Sequence, residues 1–325
     1  MKNRKEFPMQ AHVISNTHWD REWQSPKEVY WFQLVKMLDY LIEMMEKTKS
    51  FRHYHLDNQT IMLEDYFSLR PEMEDRLKKL IRAGRIVIGP WYTLPAMTFL
   101  AGESIVRNLL AGIRITREFG GKHITGYTPC SNGQVSQMPQ IMRGFGIDNI
   151  MFYRGNNRQQ TPTEYIWEAP DGSRILGIRM AERFGRANFW MHLYRPAVFN
   201  KFPFEFEYKW DKDDQMPFRM ANEDGFNSVY RLLREHSLDT YYPKNISRGA
   251  RTLKREATRE SLTNVLVYMD GHDQSWPHPA VARIVRDLNR LPGRDCYTHS
   301  NLADYMTDVK KRAHMLKLPV KHGEF

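Results

Sequence analysis

Ala11-His12-Val13-Ile14-Ser15-Asn16-Thr17-His18-Trp19-Asp20-Arg21-Glu22-Trp23 is the stretch on which the fold turns. Its first five residues have the composition of a buried strand. Directly after them come an imidazole, two carboxylates and two indoles. In parallel α/β folds, sites form at the carboxyl ends of strands, where such a run would stand. A helix is expected next. Ser25-Pro26-Lys27-Glu28 has a capping-box pattern with proline at the first helical position. Trp31, Val35, Leu38, Ile42 and Met45 then recur at helical spacing, which predicts an inward face.

Working outward, strands are expected over 51–56, 85–88, 123–127, 149–153 and 264–269, with a hairpin of 164–168 and 174–180 around Pro170-Asp171-Gly172. Helices are expected over 71–83, with Gly84 as C-cap, and over 103–119, 138–145 and 280–288. Strands alternating with helices predict an α/β fold, a mostly parallel sheet or a distorted β/α barrel. The expectation is a single β/α domain over 1–325. The stretch 181–262 shows no clean period and reads as an irregular insertion with some helix.

Bulk properties exclude several classes. With 41% hydrophobic and 26% charged residues, the 325-residue chain has the balance of a globular protein. No apolar run approaches the about 18 residues of a membrane span. The first ten residues lack the apolar core of a secretory signal, so a cytoplasmic location is expected. Cys130 and Cys296, the only two cysteines, make no disulfide framework. The formal charge of +10 is dispersed, apart from a denser stretch at 248–259. It accompanies no nucleic-acid-binding signature, so neither nucleic acid nor membrane is an expected partner.

Metal-ligand types, carboxylates and aromatics recur after one predicted strand after another. His18 and Asp20 are two apart, so at an extended strand end both side chains point the same way. Such a pair can share a zinc ion, although a surface His beside a solvated Asp has the same spacing. Trp19 and Trp23 are platforms for a sugar's C–H face, or simply core. Trp91 and Tyr92 follow the 85–88 strand. Cys130 follows the 123–127 strand and is either a small core residue or a thiolate ligand. Arg154 follows the 149–153 strand. His272 and Asp273 follow the 264–269 strand, and one of them suits general acid work.

These motifs, in this order, resemble glycoside hydrolase family 38. His18-Trp19-Asp20-Arg21-Glu22-Trp23 is similar to the bacterial form of that family's first motif. Asp57-Asn58-Gln59-Thr60, Gly89-Pro90-Trp91-Tyr92, Glu103 to Asn108, Gly126 to Gly133, Gly144 to Ile147, Phe152 to Gly155 and Gly271-His272-Asp273-Gln274 resemble its later blocks. The mannosylglycerate-hydrolase-like bacterial branch looks nearest. The resemblance implies a zinc-dependent, retaining α-mannosidase with a mannoside substrate. His18 and Asp20 would bind zinc. Cys130 stands where the family has a nucleophilic aspartate that also touches the metal. Asp273 would be the general acid/base. Trp23, Trp91, Tyr92, Arg154 and His272 would line the substrate. Family members commonly associate, so a homo-oligomer is expected.

The departures are Cys130 for aspartate, Asn132 for phenylalanine, Asn16 for a histidine and Ala96 for a bacterial-type aspartate. Family sequences also continue past the position of Phe325 into a helical domain, which carries a further histidine ligand, and β-sandwich domains. Neither these domains nor that ligand is in this sequence. A fragment of a larger protein, a ligand supplied from elsewhere, and a crippled site all fit. Three other functions compete. A non-catalytic sugar-binding remnant is favoured by Cys130. A metal-dependent carbohydrate deacetylase would need a further pair such as His-x-x-x-His, which is missing. Nucleic-acid binding would show steep salt dependence.

Overall fold

The computed structural model describes residues 7–23, 25–203 and 241–325. Strand β1 (Gln10–Ser15) lies at the centre of a parallel sheet, between β8 (Val265–Asp270) and β9 (Cys296–His299). Every β1 residue after Gln10 is buried, as expected for a parallel strand covered on both faces. Strands β2 (Tyr54–His55) and β3 (Ile86–Val87) form a short parallel pair. A five-stranded sheet runs β10 (Val320–His322), β6 (Glu164–Glu168), β7 (Arg174–Arg179), β5 (Asn149–Phe152), β4 (Gly126–Thr128). Only its β6–β7 hairpin pairs antiparallel. The α/β, mostly parallel architecture is the expected one.

Helices cover these sheets. They are α1 (Lys27–Lys47), α2 (Ile61–Leu69), α3 (Glu74–Arg82), α4 (Gly102–Glu118), α5 (Met138–Gly144), α6 (Arg195–Phe199), α7 (Ile246–Glu260), α8 (Val281–Leu288) and α9 (Leu302–Ala313). Helix α9 ties the two larger sheets together. Its Leu302, Tyr305, Met306 and Val309 share one buried cluster with Ile14 and Met269 on one side and Tyr127, Met151 and Ile178 on the other. No helix among the described residues is long and apolar enough to cross a membrane.

Several expectations need correction. Helix α1 forms, but Pro26 is its N-cap with extended backbone and no side-chain cap bond, so the capping box is not made. The expected strand 51–56 shrinks to β2, because the chain turns left-handed at Asp57 and Asn58. Helix α2, strand β9 and helix α9 went unread. The stretch 181–262 is not irregular where it is described. A π-helical turn (Trp190–Tyr194), α6 and α7 pack Leu193, Ala197, Ile246, Ala250, Leu253 and Ala257 into the core around α1. In α7 these apolar residues recur at steps of four and three, a helical stripe hidden among arginines. Residues 204–240 of the expected insertion lie outside the described residues.

Two close approaches set how the layers meet. Gly112 in α4 lies against the β3 exit, where an added Cβ would come 2.2 Å from Pro90 O and Trp91 C. Phe325 packs its ring against Phe152, Tyr165 and Trp167. Its backbone pairs with Gln134 in both directions, at 2.5 and 3.0 Å, bracing the turn that carries Cys130.

Gly112→Ala tests the first contact. Helix propensity alone favours alanine by about 1 kcal/mol. Forcing a methyl into rigid backbone costs about 1–3 kcal/mol, and at 2.2 Å from backbone atoms the clash should win. Urea unfolding is expected to show net destabilisation; a gain in stability would refute this packing.

Candidate active site

The hydrogen-bond ladder between β1 and β8 continues past the ends of both strands. Asn16 N donates to Asp270 O at 3.0 Å, His18 N to His272 O at 3.0 Å, and Gln274 N to His18 O at 2.8 Å. His18 and Asp273 therefore face one another as an isolated parallel bridge, though they are far apart in sequence. Gly271 permits the approach, since a Cβ there would lie 2.0 Å from Asn16 O. Below the bridge, buried Asp270 accepts from Ser15 Oγ at 3.1 Å and sits 2.8 Å from His278 Nδ1. Further parallel bridges, Asn16 with His55 and Gln59 with Trp91, bring the exits of β2 and β3 to the same edge.

Asp57 organises this edge from beneath. Its carboxylate has no accessible surface, and its left-handed φ of 49° is one that Asp tolerates. Oδ2 accepts from Trp19 N and Gln59 Nε2, each at 2.9 Å, and lies 2.8 Å from His18 Nδ1. Burial opposes a charge on His18, but Asp57 and the neighbouring Cys130 sulfur outweigh it and hold the imidazole pKa well above the usual value. With Nδ1 turned to Asp57, Nε2 is left facing Asp20 Oδ1 at 3.6 Å.

Arg186 joins the far side of the site. Its Nη1 donates to Asp273 Oδ1 at 2.9 Å, and it lies within the electrostatic reach of Cys130 and Tyr127. Burial alone would raise the Asp273 pKa, yet Arg186 and then His18 hold it below the carboxylate range. Burial, then the like charges of Asp273 and Asp57, push the Asp20 carboxyl up against the pull of His18. The two exposed-edge carboxyls are thus driven apart, the condition for different proton-transfer roles. His272 is pushed down to about 4 by burial and by His278, and its ring lies tilted against that of Trp190, with centroids 4.6 Å apart.

The remaining expected residues divide. Cys130 is a half-buried free thiol that joins the His18 and Arg186 environment. Arg154 reaches the same turn, donating to Asn132 Oδ1 at 3.3 Å. Trp23 is 74% exposed, a free aromatic face. Tyr92 is half-buried and donates to Glu64. Trp91 is corrected: it is fully buried and its Nε1 donates to Tyr127 O at 2.9 Å. A side chain with no accessible surface has no face for a sugar, and Trp91 instead ties β3 to β4. Trp19 is likewise core, at 2% exposure. Sequence reasoning missed Arg186, which lies in the stretch without period, and the orienting role of Asp57, which it met only as a motif member.

The donors at this edge suit zinc only incompletely. Ligands at the usual 2.0–2.2 Å around a tetrahedral ion stand roughly 3.4 Å apart, close to the 3.6 Å between His18 Nε2 and Asp20 Oδ1. The carboxylate behind Nδ1 is the customary support of a metal-binding histidine. Among the described residues, however, no group of three or more His, Cys, Asp or Glu is assembled tightly enough to hold an ion.

Residues 8–324 match the model of the glycosyl hydrolases family 38 N-terminal domain. The chain is 34% identical over 314 residues to a Halalkalibacterium halodurans protein described as "Putative mannosylglycerate hydrolase", covering 93% of this chain and 30% of that protein. It is 28% identical over 171 residues to "Alpha-mannosidase 2C1" of Mus musculus, covering 51% of this chain and 16% of that one. Among solved structures it is similar to an alpha-mannosidase from Enterococcus faecalis V583, with TM-score 0.75, 25% identity, and coverage of 97% of this chain and 31% of that one. The chain thus spans about a third or less of the length of these relatives.

Asp57→Asn keeps the shape behind His18 and removes the charge. The raised His18 pKa makes the ion pair's stabilisation fully present below the unfolded histidine value near 6.5, and lost as pH rises through the folded value. In metal-free protein, the variant's His18 imidazole is expected to titrate at lower pH by NMR. Its stability deficit at pH 6 is expected to narrow at pH 9. An unmoved titration would remove Asp57 from this role.

Proposed function

The chain belongs to glycosyl hydrolase family 38, and on that premise we propose that it is the catalytic domain of a retaining α-mannosidase. The observation that carries the reading is the His18–Asp273 bridge, which sets the His18 to Trp23 motif beside Gly271-His272-Asp273-Gln274. His18 and Asp20, with Cys130, would hold a single zinc ion, which when bound supplies polarisation of sugar hydroxyls. Trp23 offers its exposed face to the sugar, and Arg154 steadies the Cys130 turn.

In the proposed reaction the Cys130 sulfur attacks the anomeric carbon as the glycosidic C–O bond breaks, and Asp273 gives its proton to the leaving oxygen. Water then attacks the same carbon, Asp273 takes its proton, and the C–S bond breaks. Retaining chemistry of this kind uses two groups flanking the bond. The Arg186 contact favours ionised Asp273, which suits the second step. Proton donation in the first requires that Arg186 turn away. Mannosylglycerate, after which the H. halodurans relative is named, ends in a carboxylate, and Arg186 is a cation able to receive it on the leaving-group side. Sulfur is a poor replacement for the family's carboxylate, so slow turnover is expected. That substitution favours a second reading, a sugar-binding remnant that keeps the site without the rate. Family membership gives no support to the deacetylase alternative. The two thiols, neither in a disulfide, are in keeping with the proposed cytoplasmic location.

Hydrolysis of an aryl α-mannoside, with and without a zinc chelator, tests the first reading. Slow, chelator-sensitive release is expected; no release, with mannose binding retained, would leave the remnant. Cys130→Asp restores the family's carboxylate and is expected to raise the rate by about a hundredfold or more. Equal rates would mean that the thiol is not the limitation.

A further inference from the structure

Away from the site, a cavity of about 660 Å³ opens between β9, α8 and the turn before β2. It is lined by Arg52, Arg283 and Arg286, together with Ser50, Tyr297, Thr298 and His299. No Asp or Glu lines it. None of His18, Asp20, Cys130 or Asp273 lines it either.

Several arginines elsewhere in the molecule are tightly ion-paired. Arg21, Arg70, Arg76, Arg179 and Arg186 each meet a carboxylate within 3 Å. Around the cavity, Arg52 has no carboxylate within ion-pair distance among the described residues. Arg283 lies 3.8 Å over the Tyr241 ring. Arg286 has only a 3.7 Å contact to Asp287, whose oxygens are shared with Tyr241 and Arg290. Burial first, then His53 and Arg52, push His299, which lines the cavity, down to about 3. A guanidinium offers five donors in a planar fork that matches phosphate. Three such forks with few partners around one concavity repel each other unless an anion lies among them. The volume is that of a small-molecule site.

We propose that this cavity is a second binding site, for a small phosphate-bearing anion held by Arg52, Arg283 and Arg286, with the Ser50 and Thr298 hydroxyls as further donors. It is independent of the glycosidase reading. One segment connects the two along the chain, since Pro279 and Ala280 of its lining follow Asp273 in sequence.

Inorganic pyrophosphate, titrated calorimetrically into the full chain at constant ionic strength, is the probe. Saturable binding is expected. Arg52→Gln and Arg283→Gln should each weaken it about tenfold or more, the usual loss for a charge-assisted hydrogen bond. Arg107→Gln, at an exposed position on α4 already paired with Glu103, should leave it unchanged. Melting curves of the variants establish that each is folded, and Arg286→Gln replaces either one that is not. No saturable heat with the parent would overturn the proposal. So would equal weakening by Arg107→Gln, which would mark a diffuse charge effect.

Discussion

The parallel pairing of β1 with β8 is the constraint on which the rest depends. Two strands more than 250 residues apart in sequence are held in register along their whole length. Their ladder runs on through Asn16, His18 and Gln274 into the loops. Loop residues normally pay an entropy cost to be held in one arrangement. Here the ladder meets much of it, because the loop backbones satisfy each other's donors and acceptors. Gly271 is the condition for this, since no larger residue lets the two backbones come so close.

On that frame, buried carboxylates arrange the functional groups. Asp57 accepts two donors and faces His18, and so sets which imidazole nitrogen looks outward. Deeper in the sheet, Asp270 acts similarly between Ser15 and His278. Both are buried, where a lone charge is costly and a hydrogen-bonded one is held in place. Arg186 then divides the outer carboxyls, drawing Asp273 down while Asp20 is pushed up. Cys130 stands among these groups, beside His18 and Arg186.

Much of the fold was legible because buried parallel strands are continuous apolar runs and amphipathic helices have a period. β1, β8, α1, α4 and the β6–β7 hairpin were read nearly in place. The failures have physical causes. In α7 the apolar stripe is narrow and surrounded by arginines, and α2 has no side-chain cap, whereas the Asn301 cap of α9, which accepts from Asp304 N, was a signal that went unused. The 51–56 strand was overextended because its end is set by left-handed Asp57, which periodicity does not register. At the sheet edge, His18, Asp20, Cys130 and Asp273 were singled out because ligand and acid types recur after strands. Trp91 was misjudged because an indole has the same composition whether it lies under a site or on it.

The amino-acid sequence by itself determined the class of fold, the order of its elements and the chemical kinds of group at one sheet edge, since these follow from local pattern and residue type. It also carried the family, through motifs that recur in order. Tertiary structure alone decided which groups meet: that Asp57 stands behind His18, that Arg186 from an unreadable stretch grips Asp273, and that three arginines share one cavity. Each of those contacts joins residues tens to hundreds of positions apart, and no spacing rule reaches across a crossover connection. What closes that distance is strand register, and register is set by hydrogen bonds and burial over the whole sheet.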